Sequence, residues 1–414
     1  MEAPPPRRRA GLGRSFRLVQ VAAGVSGIGD GLVLAAFPLL ATRLTDDPRL
    51  VVAVTVAARL PWLLVSLPAG ALVDRSDRRR LVVTVELARA LVLAAFAVTV
   101  ATDHSALGAM LVTVFLIGVG QTFIASAAQA VLPGLVEPGR LAHANGALYA
   151  TQTSTENLIG PALGGLLFAA AAFLPFLLDG FSFVLAAALM AVALPVATAG
   201  ATGRVSNSHL RTDIAEGFAY FMRTPVLRLI GALVASLAFC QAIVFGPLVL
   251  FALHGLDLSD AGYGLLLGVA AIGNVVGGML AGRLDHRFGA RILLPASGVL
   301  AAAGYAVCGL ATGPAIAAIA LGAEAVAVAV GNVASVTLRQ RIIPNELLGR
   351  VGNVVRFFIY GAMPVGALLG GFLVEWLGVR APFAAAAALQ LVAVAVLGPP
   401  LVRHLRSGVN VSVA

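Results

Sequence analysis

The chain has 414 residues, 59% of them hydrophobic and only 11% charged, with a net charge of +9. Soluble domains carry about 25% charged residues because a water-facing surface has to be polar, so this composition excludes a soluble protein and points to an integral membrane protein. The cationic side chains are all arginine, and with no lysine in the chain a phosphate-binding G-x-x-x-x-G-K-[ST] loop, and with it ATP-driven transport within this chain, is excluded.

The basic, proline-containing opening MEAPPPRRRAGLGRSFR reads as a flank retained on the cytoplasmic side. The apolar run that follows, 16–41, is too long for a cleaved signal sequence and carries Asp30. About 20 apolar residues cross a bilayer as a helix, and runs of that kind fall at 16–41, 51–70, 81–101, 107–131, 142–170 and 173–197. A second set falls at 226–251, 261–282, 291–311, 314–338, 350–375 and 379–402. With the N-terminus inside, inner loops hold Arg75, Arg78, Arg79, Arg80, Arg140, Arg283, Arg287, Arg339 and Arg341, whereas outer loops hold only Arg43, Arg49 and Arg380. Arginine in short loops marks the cytoplasmic side, so both termini are expected there, and the basic charge reflects topology rather than nucleic-acid binding. Cys240 and Cys308 lie inside apolar runs and read as packing residues.

Between the two sets, 197–225 begins Gly/Ser/Thr-rich and ends in a stretch, 213–223, that suits an amphipathic helix at the inner interface. The expected organisation is a bundle over 1–197, a cytoplasmic linker over 198–225 and a second bundle over 226–414. Three echoes support it. GALVDRSDRRRL at Gly70 recurs weakly at Gly278, GPALGGLL at Gly160 recurs as GALLGGFL at Gly366, and GRLAHAN at Gly139 recurs as GRVGN at Gly349. The offsets are all about half the chain, the pattern of a transporter built from parallel six-helix repeats.

Taken together, these features resemble the major facilitator superfamily. The loop Gly70, Leu72, Asp74, Arg75, Arg78 and Arg79 is similar to that superfamily's signature between helices 2 and 3, with Asp77 where glycine is usual. LPGLVEPGRLAHANG, IGPALGGLL, IIPNELLGRVGN and PVGALLGGFL resemble its macrolide-efflux and siderophore-exporter branch. The resemblance implies an all-α membrane protein of twelve transmembrane helices in two pseudo-symmetric six-helix bundles, working as a monomer in a bacterial cytoplasmic membrane. It implies export of a small organic molecule, a drug, antibiotic or siderophore-like compound, driven by a proton gradient with no cofactor and no metal. Uptake by proton symport is the alternative. An intramembrane enzyme or a receptor is remote, because the histidines sit at loops or span ends and no soluble domain is present.

Individual residues then take expected roles. By resemblance, Asp74 with Gly70, Arg75 and Arg78 latches the inner side onto the helix start near Arg350; otherwise these charges only enforce topology. In the second half Gly282 stands in the place of Asp74, unless Asp285 takes the role. The drug–proton antiporters carry a glycine-rich helix 5 motif, matched at Gly160, Pro161, Gly164 and Gly165, but Glu156 replaces its leading glycine. Their helix 4 arginine is missing, since the stretch reads IGVGQTFIASAAQ. Charges inside spans are costly and usually functional, which makes Asp30, Glu156 and Glu324 the proton-coupling candidates, with Arg59 and Arg356 as basic partners. Asp30 has a structural hydrogen-bonding role as its alternative, and Glu156 a pairing with Arg59. Glu86 and Arg89, three apart, read as a structural pair. The superfamily's cavity-lining helices nominate Phe37, Gln121, Phe123, Ser126, Gln241, Phe245 and Asn332, with Phe239 as a further aromatic wall. An apolar pocket with few polar groups suits an amphipathic, cationic organic compound.

Overall fold

The computed structural model of the chain describes residues 13–65, 69, 72–73, 76–137, 141–194, 210–344 and 347–406. Among the described residues there are helices and connections and no strand. In chain order they are α1 (Arg14–Leu44), α2 (Pro48–Leu64), α3 (Arg78–Ala101), α4 (Leu107–Leu135), α5 (Leu141–Gln152), α6 (Gly160–Ala170) and α7 (Leu174–Ala193). Then come α8 (Leu210–Arg223), α9 (Pro225–Phe245), α10 (Asp260–Phe288), α11 (Ala290–Leu310), α12 (Pro314–Ile342), α13 (Leu348–Leu377) and α14 (Ala381–Arg406). A π-helical stretch, Thr153–Ile159, joins α5 to α6, and another, Phe251–Gly255, follows α9.

Ten of these helices are long and apolar enough to cross a membrane. The expected spans that fall short are 51–70, where the structure has the 17-residue α2, and 142–170, which the π-helical stretch divides. Local chemistry sets several starts. Asp47 caps α2 by accepting from the Arg49 amide at 2.9 Å, with Pro48 in the first turn. Asp77, the departure from the signature loop, caps α3 by accepting from the amides of Arg79 and Arg80 at 2.9 and 3.2 Å. An aspartate there trades backbone freedom for a helix start. The amphipathic stretch expected at 213–223 lies within α8.

Packing places the start of α1 and the end of α14 at one end of the molecule, called proximal below. At the opposite, distal end Arg43 closes α1 against Asp260 at the start of α10, and Arg380 at the start of α14 donates to the carbonyls of Gly309 and Ala311. The core divides along this axis. A single apolar cluster at the distal end joins residues of α1–α4, α6 and α7, among them Phe37, Phe96 and Phe176, to residues of α9–α14, among them Cys240, Tyr305 and Phe383. At the proximal end the clusters separate, Val19, Val82, Ala127 and Met190 in one, Ile230, Leu294, Val330 and Leu401 in the other. The apolar core is therefore continuous between the two sets of helices distally and divided proximally.

Two seams join them. Along α2 and α13, Arg49 bonds Glu375 at 3.1 Å, Val52 packs with Ala367, and Trp62 stacks on Tyr360 with ring centroids 5.6 Å apart. Along α6 and α10, a Cβ on Gly165 would lie 2.9 Å from the Gly264 Cα, so the two backbones touch. Further along α10, Gly278 and Gly282 face open space.

Candidate functional site

Within the apolar first bundle, α1, α3 and α7 bring charged side chains to one place. Arg89, in the middle of α3, is only 2% exposed; its Nη2 donates to Asp30 Oδ1 on α1 at 2.6 Å and its Nη1 to Glu86 Oε2 at 3.1 Å. The guanidinium lies over the Phe183 ring of α7, with Cζ 3.8 Å from the centroid, a favourable place for a desolvated cation. Its aliphatic stem crosses α4 at Gly120, where a Cβ would come within 2.6 Å of Arg89 Cδ. The stretch of α4 without an arginine thus makes room for one from α3. Glu86 and Arg89 do form the expected pair, and the pair extends to Asp30.

Asp179 on α7 is a fourth member, fully buried and within electrostatic range of Arg89. The Ser182 hydroxyl donates to its Oδ1 at 3.1 Å, while Oδ2 is buried with no hydrogen-bond partner among the described residues. It rests on the backbone of Gly29, whose missing side chain leaves the room that the Asp179 Oδ1 and Ser182 Oγ occupy. Sequence reading passed over Asp179, although a lone aspartate in LPFLLDGFSFV is the signal that intramembrane charge supplies.

Glu156 belongs to the π-helical stretch between α5 and α6. Pro161 has no amide hydrogen to give the carbonyl of Asn157, and Thr155 and Thr151 turn their hydroxyls back onto the carbonyls of Thr151 and Ala147, each at 2.9 Å. Regular α-helical bonding is weakened on both sides, which suits an inserted π turn; such turns recur at functional sites. Glu156 is partly exposed, and Asp30, Arg59 and Arg89 all lie within its electrostatic range. No ion pair joins Glu156 to Arg59 among the described residues, so the expected pairing is absent from this conformation.

The helix 5 glycines pack. A Cβ on Gly160 would lie 2.5 Å from the Gly31 Cα, Gly164 lies against the Leu32 carbonyl, and Gly165 against α10. Glu324 stands apart from the acid group. It is fully buried in the second bundle, accepts from the Tyr305 hydroxyl at 2.7 Å, and its Oε2 has no partner among the described residues. Arg356 is exposed on α13, where Arg339 is the charge near it.

Among the cavity candidates, Phe37 is corrected to a core residue. It is 5% exposed and packs on Phe176 and Phe96 at 4.9 and 5.8 Å, because α1, α3 and α7 close around it distally. Phe239 and Phe245 pack against the distal core and Phe123 against the proximal core of the first bundle. Ser126 bonds back to the Thr122 carbonyl, while Gln121 and Gln241 are half-buried and Asn332 is exposed. Gly70, Asp74 and Arg75 lie outside the described residues, and Arg78 opens α3. Arg350 bonds Glu216 of α8, and Asp285 bonds Arg341 of its own bundle at 3.1 Å.

At the distal end, the Arg43–Asp260 bond at 2.6 Å and the Arg49–Glu375 bond tie one bundle to the other. Arg49 also holds the Asp47 carboxyl below its usual range through hydrogen bonds from its side chain and amide.

The sequence profile of the transmembrane secretion effector family matches residues 12–408. The chain is 29% identical over 393 residues to the multidrug efflux pump Tap of Mycolicibacterium fortuitum, covering 89% of this chain and 91% of Tap. Its fold is similar to that of a bacterial homologue of the human lysosomal transporter Spinster, solved inward-facing and unoccupied, with a TM-score of 0.73, 16% identity, and coverage of 95% of this chain and 97% of that one. It is also similar to an inward-facing bacterial homologue of the iron transporter ferroportin, with a TM-score of 0.72, 17% identity, and coverage of 94% and 98%.

Proposed function

The chain belongs to the transmembrane secretion effector family of major facilitator transporters, and from that premise we propose that it exports a small amphipathic organic molecule across the cytoplasmic membrane in exchange for protons. It is a membrane transporter and not an enzyme. In this reading α5, the π-helical stretch and α6 form one span and α2 forms another, giving twelve spans with the ten long helices. The proximal end, rich in arginine, faces the cytoplasm; in this reading the conformation described is inward-facing and a cleft between the divided proximal cores admits substrate from inside.

The observation that carries proton coupling is the charge count around Arg89. One guanidinium faces Asp30, Glu86 and Asp179, with Glu156 nearby at the cleft. Unpaired carboxylates are costly in a low-dielectric interior, so the group favours taking up a proton or another cation. A proton and a cationic substrate then compete for Asp30 and Glu156. Substrate arriving from the cytoplasm displaces the proton, the bundles rock, and a proton from outside displaces the substrate.

Reconstituted protein in liposomes with an imposed pH gradient tests this with tetraphenylphosphonium as the probe. Efflux should follow the gradient in the wild type, and Asp30→Asn or Glu156→Gln should cut gradient-driven transport by tenfold or more, an order-of-magnitude expectation for loss of a coupling charge. Movement of probe and protons in the same direction would mean symport instead, and full coupling in both variants would place the proton elsewhere.

A further inference from the structure

Asp179 and Arg89 each retain an unsatisfied atom within one buried cluster. Asp179 Oδ2 and Arg89 Nε are both buried and have no hydrogen-bond partner among the described residues. They lie within electrostatic range of each other, yet the ion pairs of Arg89 run to Asp30 and Glu86 and not to Asp179. Buried polar groups left unpaired in one conformation call for an explanation, and a second conformation in which they meet supplies one.

The surroundings allow such a conformation. Asp179 lies against Gly29, the residue next to Asp30, so the two acids flank one turn of α1. The guanidinium already rests on Phe183, one turn along α7 from Asp179. Its stem runs over Gly120, which offers no side chain to hold it in place. Asp30 is 13% exposed, whereas Asp179 is fully buried, so one acid is accessible and the other is not.

We propose that Arg89 has two seats, Asp30 in the conformation described and Asp179 once a proton or cationic substrate occupies Asp30, which makes Asp179 the positioning residue that receives it. This rests on reading Asp30 as the coupling acid. Occupation of Asp30 cancels its charge and releases the guanidinium, which moves toward the carboxylate that still lacks a partner. The charged groups facing Asp179 are Asp30 from α1 and Glu86 and Arg89 from α3, with the Ser182 hydroxyl from its own helix. The movement carries an event at the cleft into the packing of α1, α3 and α7.

A double-mutant cycle on the full-length protein tests the two seats through its melting temperature. Asp30→Asn imitates an occupied Asp30 and should send Arg89 to Asp179. Adding Asp179→Asn should then lower the melting temperature by several degrees more than it does in the wild type, an order-of-magnitude expectation for coupled neighbours, and Asp179→Glu should retain most of the coupling. Equal losses in the two backgrounds, or a smaller loss in the Asp30→Asn background, overturn the proposal.

The pH dependence of tetraphenylphosphonium binding gives a second readout. With Asp179→Asn the second seat is gone and Arg89 stays with Asp30, so Asp30 gives up its proton more readily and the midpoint should move to lower pH. An unmoved midpoint, in a wild type that does respond to pH, also overturns the proposal. If the cycle is non-additive while wild-type binding ignores pH, the proton reading fails and the two seats stand. If binding follows pH and the cycle is additive, the two seats alone fail.

Discussion

Without the guanidinium of Arg89, Asp30 and Glu86 would face each other with no counter-charge, and Asp179 would lose the cation within its range. Breaking a buried ion pair by removing one partner costs about 3–5 kcal/mol, because the other charge stays buried. Arg89→Gln should therefore lower the melting temperature sharply, and Arg89→Lys should recover only part of the loss, since an ammonium lacks the fork that reaches two acids at once. Gly29→Ala should destabilise by about 1–3 kcal/mol, the usual range for overpacking, since its methyl would claim the space of the Asp179 and Ser182 oxygens; a melting temperature equal to wild type would mean that α1 and α7 can part. At this scale the sequence was half legible. Charge inside an apolar span marked Asp30 and Glu156, and a spacing of three marked Glu86 with Arg89. The reach of Arg89 to Asp30 was hidden, because a long side chain crossing a glycine of another helix leaves no local pattern.

Helix α8 behaves as part of the second bundle. Glu216 bonds Arg350, Gly217 lies on the Arg350 backbone, and Phe221 stacks on Phe358 with centroids 5.7 Å apart. Phe221 is also 4% exposed within a cluster that includes Leu227 and Val355. Replacing a buried phenylalanine by alanine costs about 3–5 kcal/mol, so Phe221→Ala should loosen α8 and speed tryptic cleavage at Arg223; an unchanged cleavage rate would mean that the polar contacts suffice. The amphipathic pattern of this helix was readable in the sequence, while its partner was not, since the pattern tells which face is apolar and not what covers it. The π-helical stretch was hidden for a different reason. Apolar content alone reads 142–170 as a continuous span, whereas the hydroxyls of Thr151 and Thr155 occupy backbone carbonyls and Pro161 leaves another without its amide donor.

At the scale of the molecule, if the bundles rock as proposed, the distal ion pairs bias the balance between their two arrangements. Exposed pairs contribute about 0.2–1 kcal/mol each, so the double reversal Asp260→Arg with Glu375→Arg should shift the balance several-fold away from the distally closed form. A cysteine placed at Gly282, which faces open space here, should then be labelled more slowly; unchanged labelling would mean that the apolar distal core alone sets the balance. The repeat of about half the chain announced two related bundles, but a sequence encodes both arrangements at once and cannot say which one is populated. The repeat also exposes an asymmetry. About 210 residues after Arg89 and Asp179 stand Gly298 and Gln390, neighbours in the second bundle with no charge between them. Gln390 is fully buried and neither of its amide atoms has a hydrogen-bond partner among the described residues. The same location is titratable in one bundle and neutral in the other.

The meeting of Gly165 with Gly264 bears on how such bundles could turn. Where backbone touches backbone no rotamers have to be rearranged, and one helix can roll on the other as on a bearing. The opposite seam is toothed, with Trp62 laid on Tyr360 and Arg49 hooked to Glu375, and it has to be unpicked before anything turns. If the bundles rock as proposed, friction is unevenly distributed between the two seams, and the toothed side sets the pace.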